Sequence, residues 1–274
     1  MNVGDDLVLH GLTICPDLDT ITYTLAGLNN EELGWGLTGE SWRVMSELEA
    51  LGGEAWFRLG DRDLATHLYR TQRLHDGATK TQVTAELADH HGVQVTILPV
   101  TDDPLSTEFL TEEGRLSFQE YFVRRHHDVV VHSITFVGAE DARPSDEVTA
   151  ALRDATRLVI APSNPLISID PILQVPGVRA ALRSRSNDVV AVSPIIAGVA
   201  LKGPADRLLR ELGHDSSVLG VVDFYEGLVG TWIIDEADAA LAEEIRARGP
   251  RVLVTTTVMA EPANAHRLAS AVLA

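Results

Sequence analysis

The chain is short of cysteine and of positive charge, and each shortage narrows what it can do. A single cysteine, Cys15, among 274 residues excludes an intramolecular disulfide and any cysteine-rich zinc site, and it suits a reducing cytoplasm. Cys15 itself reads as a small buried hydrophobe. Lysine and arginine total 22 against 40 aspartates and glutamates, which gives a formal net charge of −18 and a pI near 4.8. Such a surface repels nucleic-acid phosphates and anionic membranes on average. An anionic small substrate then needs local arginines or a metal ion to hold it. No basic start followed by an apolar stretch marks a secretory signal. The most apolar stretch, Val189 to Leu201, is interrupted by Ser193, Pro194 and Gly198 and is too short to span a bilayer, so a soluble protein is expected. Walker-type, HExxH and GxSxG motifs are missing, as are internal repeats and long flexible linkers.

What is present suits one large Rossmann-like α/β domain over residues 1–274, since 45% of the residues are hydrophobic. Continuous apolar runs predict strands covered on both faces at Arg157 to Ala161, Val189 to Val192, Trp232 to Asp235 and Val252 to Thr256, with a further strand in VTILPV from Gln94. Helical patterns alternate with them at Ser145 to Ala155, Val175 to Ser184, Ala205 to Leu212, Glu236 to Arg248 and Pro262 to Leu273. That alternation predicts a mostly parallel sheet with helices on both faces. Two interruptions are expected. Residues of about 17–92 form a helical insertion with helices at Leu18 to Leu25, Ser41 to Leu51, Asp61 to His75 and Thr81 to His91, and Gly52-Gly53 and Gly92 as stops. Residues of about 105–138 have strand-like composition and a turn at Glu113-Gly114, which predicts a β-rich hairpin excursion.

Four short blocks in the first 103 residues hold two aspartates each and no glutamate: Asp5 and Asp6, Asp17 and Asp19, Asp61 and Asp63, Asp102 and Asp103. Each block closes an apolar segment or opens a helical one, where open α/β sheets hold ligands. A short carboxylate there binds a hard cation, positions a hydroxyl, or caps a helix. Asp5 and Asp6 follow what reads as a strand end, Asn2-Val3-Gly4. Asp17 is expected as a cap, with Asp19 turned toward a cleft. Gly60-Asp61-Arg62-Asp63 opens a helix whose free amides and dipole would seat an anion, with Arg62 to grip phosphate. Asp63, His67 and Arg70 follow at i, i+4 and i+7 on one face. The competing reading makes Asp61 an N-cap and the others a solvated stripe. Ala161-Pro162-Ser163-Asn164-Pro165 supplies a hydroxyl, a carboxamide and amides on a proline-stiffened loop, and Lys202 stands in a second loop; ordinary turns and a solvated lysine are the alternatives. The pairs His90-His91 and His126-His127 read as surface residues.

Taken together, NVGDD, CPDLDT, the GWG turn at Gly34 to Gly36, LGDRDLATH, TDDPLST, FQEYFV, APSNP, SPII and LKGPADRL resemble, in order and over nearly the whole chain, the 2-phospho-L-lactate transferase family of deazaflavin coenzyme F420 biosynthesis. LGDRDLATH and PDLDT carry the specificity, while the strand-loop architecture is shared with nucleotide-sugar-binding regulators. The resemblance implies a cytoplasmic homodimer and an enzyme requiring Mg2+. In the implied reaction, the ribityl hydroxyl of the deazaflavin Fo attacks a phosphate of a guanosine diphosphate derivative of lactate or enolpyruvate, and GMP leaves. It implies Asp19 at the attacking hydroxyl and the metal, and Asp5 or Asp6 as a further metal ligand. Asp61 and Arg62 fall to phosphate or the hydroxylated side chain of Fo, Ser163 and Asn164 to the guanylyl part, Lys202 to a phosphate, and Asp17, Thr20, His67 and Pro165 to substrate binding. Family members also begin with an additional strand and a GGxGG-type loop, and no such unit stands within these 274 residues. A biological start further upstream and a shortened form with impaired catalysis are the two expectations for that departure; smaller departures, Ala161 before the PSNP turn where glycine is usual and Ala197 after SPII, bear on loop geometry more than on chemistry. A non-catalytic regulator on the same scaffold is the alternative function, and a globular protein with capping aspartates is the plainest one.

Overall fold

A computed structural model describes residues 1–274. The chain divides into two compact units, Met1–Val130 with Ile134–Val148, and Val131–Ser133 with Thr149–Ala274.

The first unit opens with a hairpin of β1 (Leu7–Leu9) and β2 (Leu12–Ile14), in which Leu9 pairs with Leu12. Its two-residue turn, His10-Gly11, has positive φ at both positions, the geometry that matches strand twist in tight hairpins. Four helices follow: α1 (Pro16–Leu25), α2 (Arg43–Ala50), α3 (Asp61–His75) and α4 (Lys80–His90). Ile14, Met45, Leu59 and Leu64 form a core between the hairpin, α2 and α3, flanked by Leu7, Leu9, Leu12, Leu48 and Phe57. Helix α4 starts with a capping box between Thr79 and Gln82, and left-handed Gly52 and Gly92 end α2 and α4 as the sequence predicts. The β-rich excursion is a three-stranded sheet of β3 (Ser106–Thr111), β4 (Gly114–Ser117) and β5 (Val131–Val137), in the order β4-β3-β5.

Three expectations fail in this half. The segment VTILPV forms no strand, because its backbone makes single bonds with Met1 rather than a ladder: Met1 N donates to Leu98 O and Val100 N to Met1 O. Asn2-Val3-Gly4 is not a strand end but the approach to a turn closed by Asp6 N–H to Val3 O at 3.3 Å. After Ser117, the strand-like text FQEYFV coils into a π-helical turn, Glu120–Arg124. There the Glu120 carboxylate accepts from Ser117 N–H and Oγ–H, and Tyr121 stacks on Phe109 at 4.2 Å.

In the second unit, α5 (Asp146–Asp154) leads to β6 (Leu158–Ile160), and α6 (Asp170–Gln174) and α7 (Val178–Ser184) lead to β7 (Val189–Val192). A small hairpin of β8 (Ile195–Ile196) and β9 (Val199–Ala200) precedes α8 (Ala205–Glu211), α9 (Val218–Phe224) and β10 (Thr231–Ile234). Helix α10 (Ala242–Ala247), β11 (Arg251–Val254) and α11 (Pro262–Leu273) complete the chain. All pairings in the sheet β11-β10-β7-β6 are parallel, as the continuous apolar runs require. Every residue of central β7 is buried, and Val190 and Val192 pack with Ile233 against Leu268 and Val272 of α11. The predicted helix Glu236 to Arg248 is split, its first six residues forming a 3-10 turn capped by Asp235.

At the β8–β9 turn, Ala197 has φ +49 beside Gly198 at φ +81, and only the alanine bears the left-handed strain of an L side chain. Ala197→Gly is expected to raise the urea midpoint by the equivalent of about 1 kcal/mol at an unchanged denaturant slope. A lowered midpoint would contradict this account of the turn.

Candidate active site

Pro16 occupies the first turn of α1, and Asp19 and Tyr23, four residues apart, share its buried face. Opposite them α3 presents Asp63, His67 and Arg70, all buried, so the stripe read from spacing faces protein and not water. Arg70 Nη1 donates to Asp19 Oδ2 at 3.0 Å while Nη2 donates to Asp19 Oδ1, a forked pair 2% exposed on the arginine side. Tyr23 OH donates to Asp63 Oδ1 at 2.7 Å and shares a second bond with Thr66 Oγ1 at 2.9 Å. His67 sits between the two acids, Nε2 at 3.3 Å from Asp63 Oδ2 and Nδ1 at 3.7 Å from Asp19 Oδ2. Burial pushes the Asp19 carboxyl above the usual range even though Arg70 and His67 oppose it. Burial acts on Asp63 too, but His67, Tyr23 and Arg70 outweigh it and hold that carboxyl below the usual range.

A second group of acids lies at the NVGDD turn. Asn2 Nδ2 donates to Asp5 Oδ1 at 3.3 Å and to Asp17 Oδ2 at 3.0 Å, and Asp5 Oδ2 accepts the Asp17 N–H at 3.2 Å. Asp5, and not Asp17, therefore serves the first turn of α1, whose N-cap position is Cys15. Gln119 Nε2 donates to Asp5 O at 2.9 Å, so the FQEYFV segment holds the turn from below. Lys80 Nζ donates to Asp6 Oδ2 at 2.5 Å. The other oxygen, Asp6 Oδ1, is buried without a hydrogen-bond partner, and burial raises this carboxyl against the opposing pull of Lys80, Arg70 and the weakly donating Cys15 thiol. Burial, then the nearby Asp17 and Asp6, push Asp5 well above the usual carboxylate range. The two groups adjoin across buried Cys15, which feels Asp6, Arg70, Lys80 and Asp19.

Carboxylate oxygens of this kind suit a hard cation such as Mg2+, and the unpartnered Asp6 Oδ1 is the atom that asks for one. Asp19, Asp63 and His67 also bring ligand atoms within 4.8 Å of one another. There, however, the Arg70 guanidinium already supplies the positive charge.

The remaining aspartates serve the backbone. Asp61 accepts from Ser41 Oγ at 2.5 Å and from the N–H groups of Arg43 and Val44, capping α2 and not its own helix, whose N-cap is Gly60. In exchange Glu40 accepts the Arg62 and Asp63 N–H groups at 2.8 and 2.9 Å, so a carboxylate of the chain itself fills the anion seat expected at α3. Any Cβ at position 60 would collide with the Glu40 side chain. Arg62 Nη1 donates to Thr38 O at 2.6 Å. Asp102 accepts the Thr81 N–H at the start of α4, and Asp103 the Arg143 N–H. Thr20 lies half-buried on α1.

In the second unit, Asn164 Oδ1 accepts the Leu166 N–H at 3.0 Å and caps a π-helical turn that begins at buried Pro165, while Asn164 Nδ2 is buried without a partner. Ser163 is half-buried and Lys202 exposed. Sequence reasoning missed Asn2, Tyr23, Glu40, Lys80 and Gln119. Tyr23 alone carried a local signal, its i+4 spacing from Asp19; the others act on partners distant in the chain or, for Asn2, inside an irregular turn.

Fold and site define a class. Across 100% of this chain and 89% of the other, the backbone is similar to a UPF0052-family crystal structure from Bacillus halodurans, with a TM-score of 0.61 at 16% identity, a likeness of fold alone. Within that class, residues 1–265 match the family of the 2-phospho-L-lactate transferase CofD, and the chain belongs to that family. It is 42% identical over 267 residues to a phosphoenolpyruvate transferase of Mycolicibacterium smegmatis, covering 93% of this chain and 82% of the relative. A phosphoenolpyruvate transferase of Mycobacterium tuberculosis is 43% identical over the same length, with 93% and 81% covered.

The buried acids fix the response to pH. Asp5, Asp6, Asp17 and Asp19 are raised above their ordinary value of 3.8, so their contribution to stability is lost as pH rises through the raised values. Asp63 and Asp235 are lowered, and their contribution is lost only as pH falls below that ordinary value. In chelator, the denaturation midpoint is expected to fall as pH rises from the ordinary carboxylate value of 3.8 through the raised values, and Asp17→Asn, which removes a charge beside Asp5, to flatten the fall. A midpoint that climbs over that interval would contradict the assignment.

Proposed function

We propose that this protein is a phosphoenolpyruvyl transferase of deazaflavin coenzyme biosynthesis, acting on Fo and a guanosine diphosphate-linked enolpyruvate, with the lactyl donor as the nearest alternative substrate. Family membership and two relatives bearing the phosphoenolpyruvate transferase name support the reaction type. The observation that carries the chemistry is the buried acidic turn, where Asp6 Oδ1 has no partner and Asp5 is crowded by two other carboxylates.

The reaction is a displacement at phosphorus: the ribityl hydroxyl oxygen forms a bond to the phosphate bearing the enolpyruvyl group, the bond to GMP breaks, and the hydroxyl proton is given up. Asp19 takes the hydrogen bond and proton of that hydroxyl. A carboxylate has about four acceptor positions, and Arg70 uses two of those on Asp19. Asp5 and Asp6 would hold Mg2+, which supplies charge neutralisation at the phosphate oxygens. Asp17 and Thr20, at the start of α1, and His67 line the acceptor side; Asp61 and Arg62 contact the hydroxylated chain from the first turn of α3. Ser163, Asn164 and Pro165 with Lys202 bind the guanylyl part, and the unpartnered Asn164 Nδ2 is a donor available for it. The same reading puts the enzyme in the cytoplasm as a homodimer; no helix is long and apolar enough to cross a membrane.

Mass spectrometry of reactions containing Fo, Mg2+ and each guanylyl donor tests this. Formation of the enolpyruvyl phosphodiester of Fo together with GMP is expected, and no product from either donor would overturn the reading. Asp19→Asn should lower turnover by about 10²- to 10⁴-fold with the circular dichroism spectrum unchanged.

A further inference from the structure

Among the arginines and lysines, Arg70 alone belongs to the buried class, at 2% exposure. One turn further along the same helix, Arg73 makes an equally forked contact with Glu86, but both partners there are 35% exposed. The burial of Arg70 is therefore specific to its place. A buried ion pair is a weak source of stability, because desolvation cancels most of the attraction, and an apolar pair of similar volume would hold α1 and α3 together as well. What an apolar pair cannot do is orient a carboxylate. Each oxygen of Asp19 meets a different nitrogen of Arg70, which fixes the plane of the carboxylate and not only its position. The guanidinium is itself held from a second side, since Nη1 lies 3.3 Å from His67 Nδ1, and His67 is in turn set against Asp63, which Tyr23 of α1 locks with its hydroxyl.

Resting on the reading of Asp19 given above, we infer that Arg70 is a positioning residue of the transfer reaction, fixing the plane of the Asp19 carboxylate for the incoming hydroxyl while touching neither substrate. It acts through Asp19 alone. Lysine at this position keeps the charge but offers no planar fork, so the conservative change is not conservative here.

Steady-state kinetics and thermal unfolding of the full chain, with Fo and the guanylyl donor, test this in wild type, Arg70→Lys, Arg70→Met, Asp19→Asn and the double variant Asp19→Asn/Arg70→Met. The double variant removes both charges, so it leaves no unpaired buried ion even where Arg70→Met alone does not fold. Arg70→Lys is expected to lose about 10²-fold in kcat with the KM for the guanylyl donor unchanged. The double variant is expected to be no slower than Asp19→Asn. A folded Arg70→Lys enzyme with wild-type kcat overturns the inference. So does a raised donor KM at normal kcat, which would put Arg70 on the phosphates, or a double variant slower than Asp19→Asn by a further large factor. Wild type that makes no product at all would instead overturn the transferase reading, and this inference with it.

Discussion

Withdrawing carboxylates from water is costly unless positive charge meets them, and this constraint organises the first unit. Asp5, Asp6, Asp17, Asp19 and Asp63 are buried or nearly so, and Arg70 and Lys80 are the side-chain cations that pair with them. The compensation is uneven. Asp19 and Asp63 share Arg70, His67 and Tyr23, and form a closed network between α1 and α3. At the NVGDD turn, Asp6 has Lys80 on one oxygen only, and Asp5 meets an amide, a carboxamide and two neighbouring acids. One half of the site is electrostatically complete, then, and the other half is short of positive charge. The proposed phosphoryl transfer would use that asymmetry, because a fixed carboxylate and a place for a cation are separate requirements.

The exchange of carboxylates between α2 and α3 shows the other use the chain makes of acids. Asp61 serves the amides that open α2, and Glu40, just ahead of α2, serves those that open α3. Each helix start is satisfied by the segment leading into the other, which pins residues 38–44 against the first turn of α3. Gly60 leaves room at the crossing for the Glu40 side chain, which a Cβ there would displace. Arg62, tethered to Thr38, belongs to this clasp as much as to any ligand.

Much of this was legible in the sequence where the signal is periodic. The bounds of α3 and α11 and all four strands of the parallel sheet follow from apolar spacing, and the shared face of Asp63, His67 and Arg70 follows from helix geometry. What could not be read is which way that face turns. A stripe of Asp, His and Arg has the composition of a solvated surface, and only the tertiary partner Asp19, 51 residues from Arg70, turns it inward. Lys80 reaches Asp6 across 74 residues and Gln119 reaches Asp5 across 114, so neither left a local trace. FQEYFV misled because aromatic composition favours strands, while the Ser117–Glu120 bonds and the stacking of Tyr121 decide for a helical turn. The aspartate pairs stand out in the sequence as pairs, but the structure sorts them: Asp61, Asp102 and Asp103 serve backbone amides, and the others gather.

The NVGDD turn is short of positive charge, and the proposed function has it take a divalent cation. Anomalous diffraction from crystals of this protein soaked in Mn2+, a hard cation that substitutes for Mg2+ at oxygen ligands, locates the ion without reference to activity. The account predicts a manganese peak coordinated by carboxylate oxygens of Asp5 and Asp6. A peak against Asp19, Asp63 and His67 instead, or none in the first unit at saturating Mn2+, would contradict it.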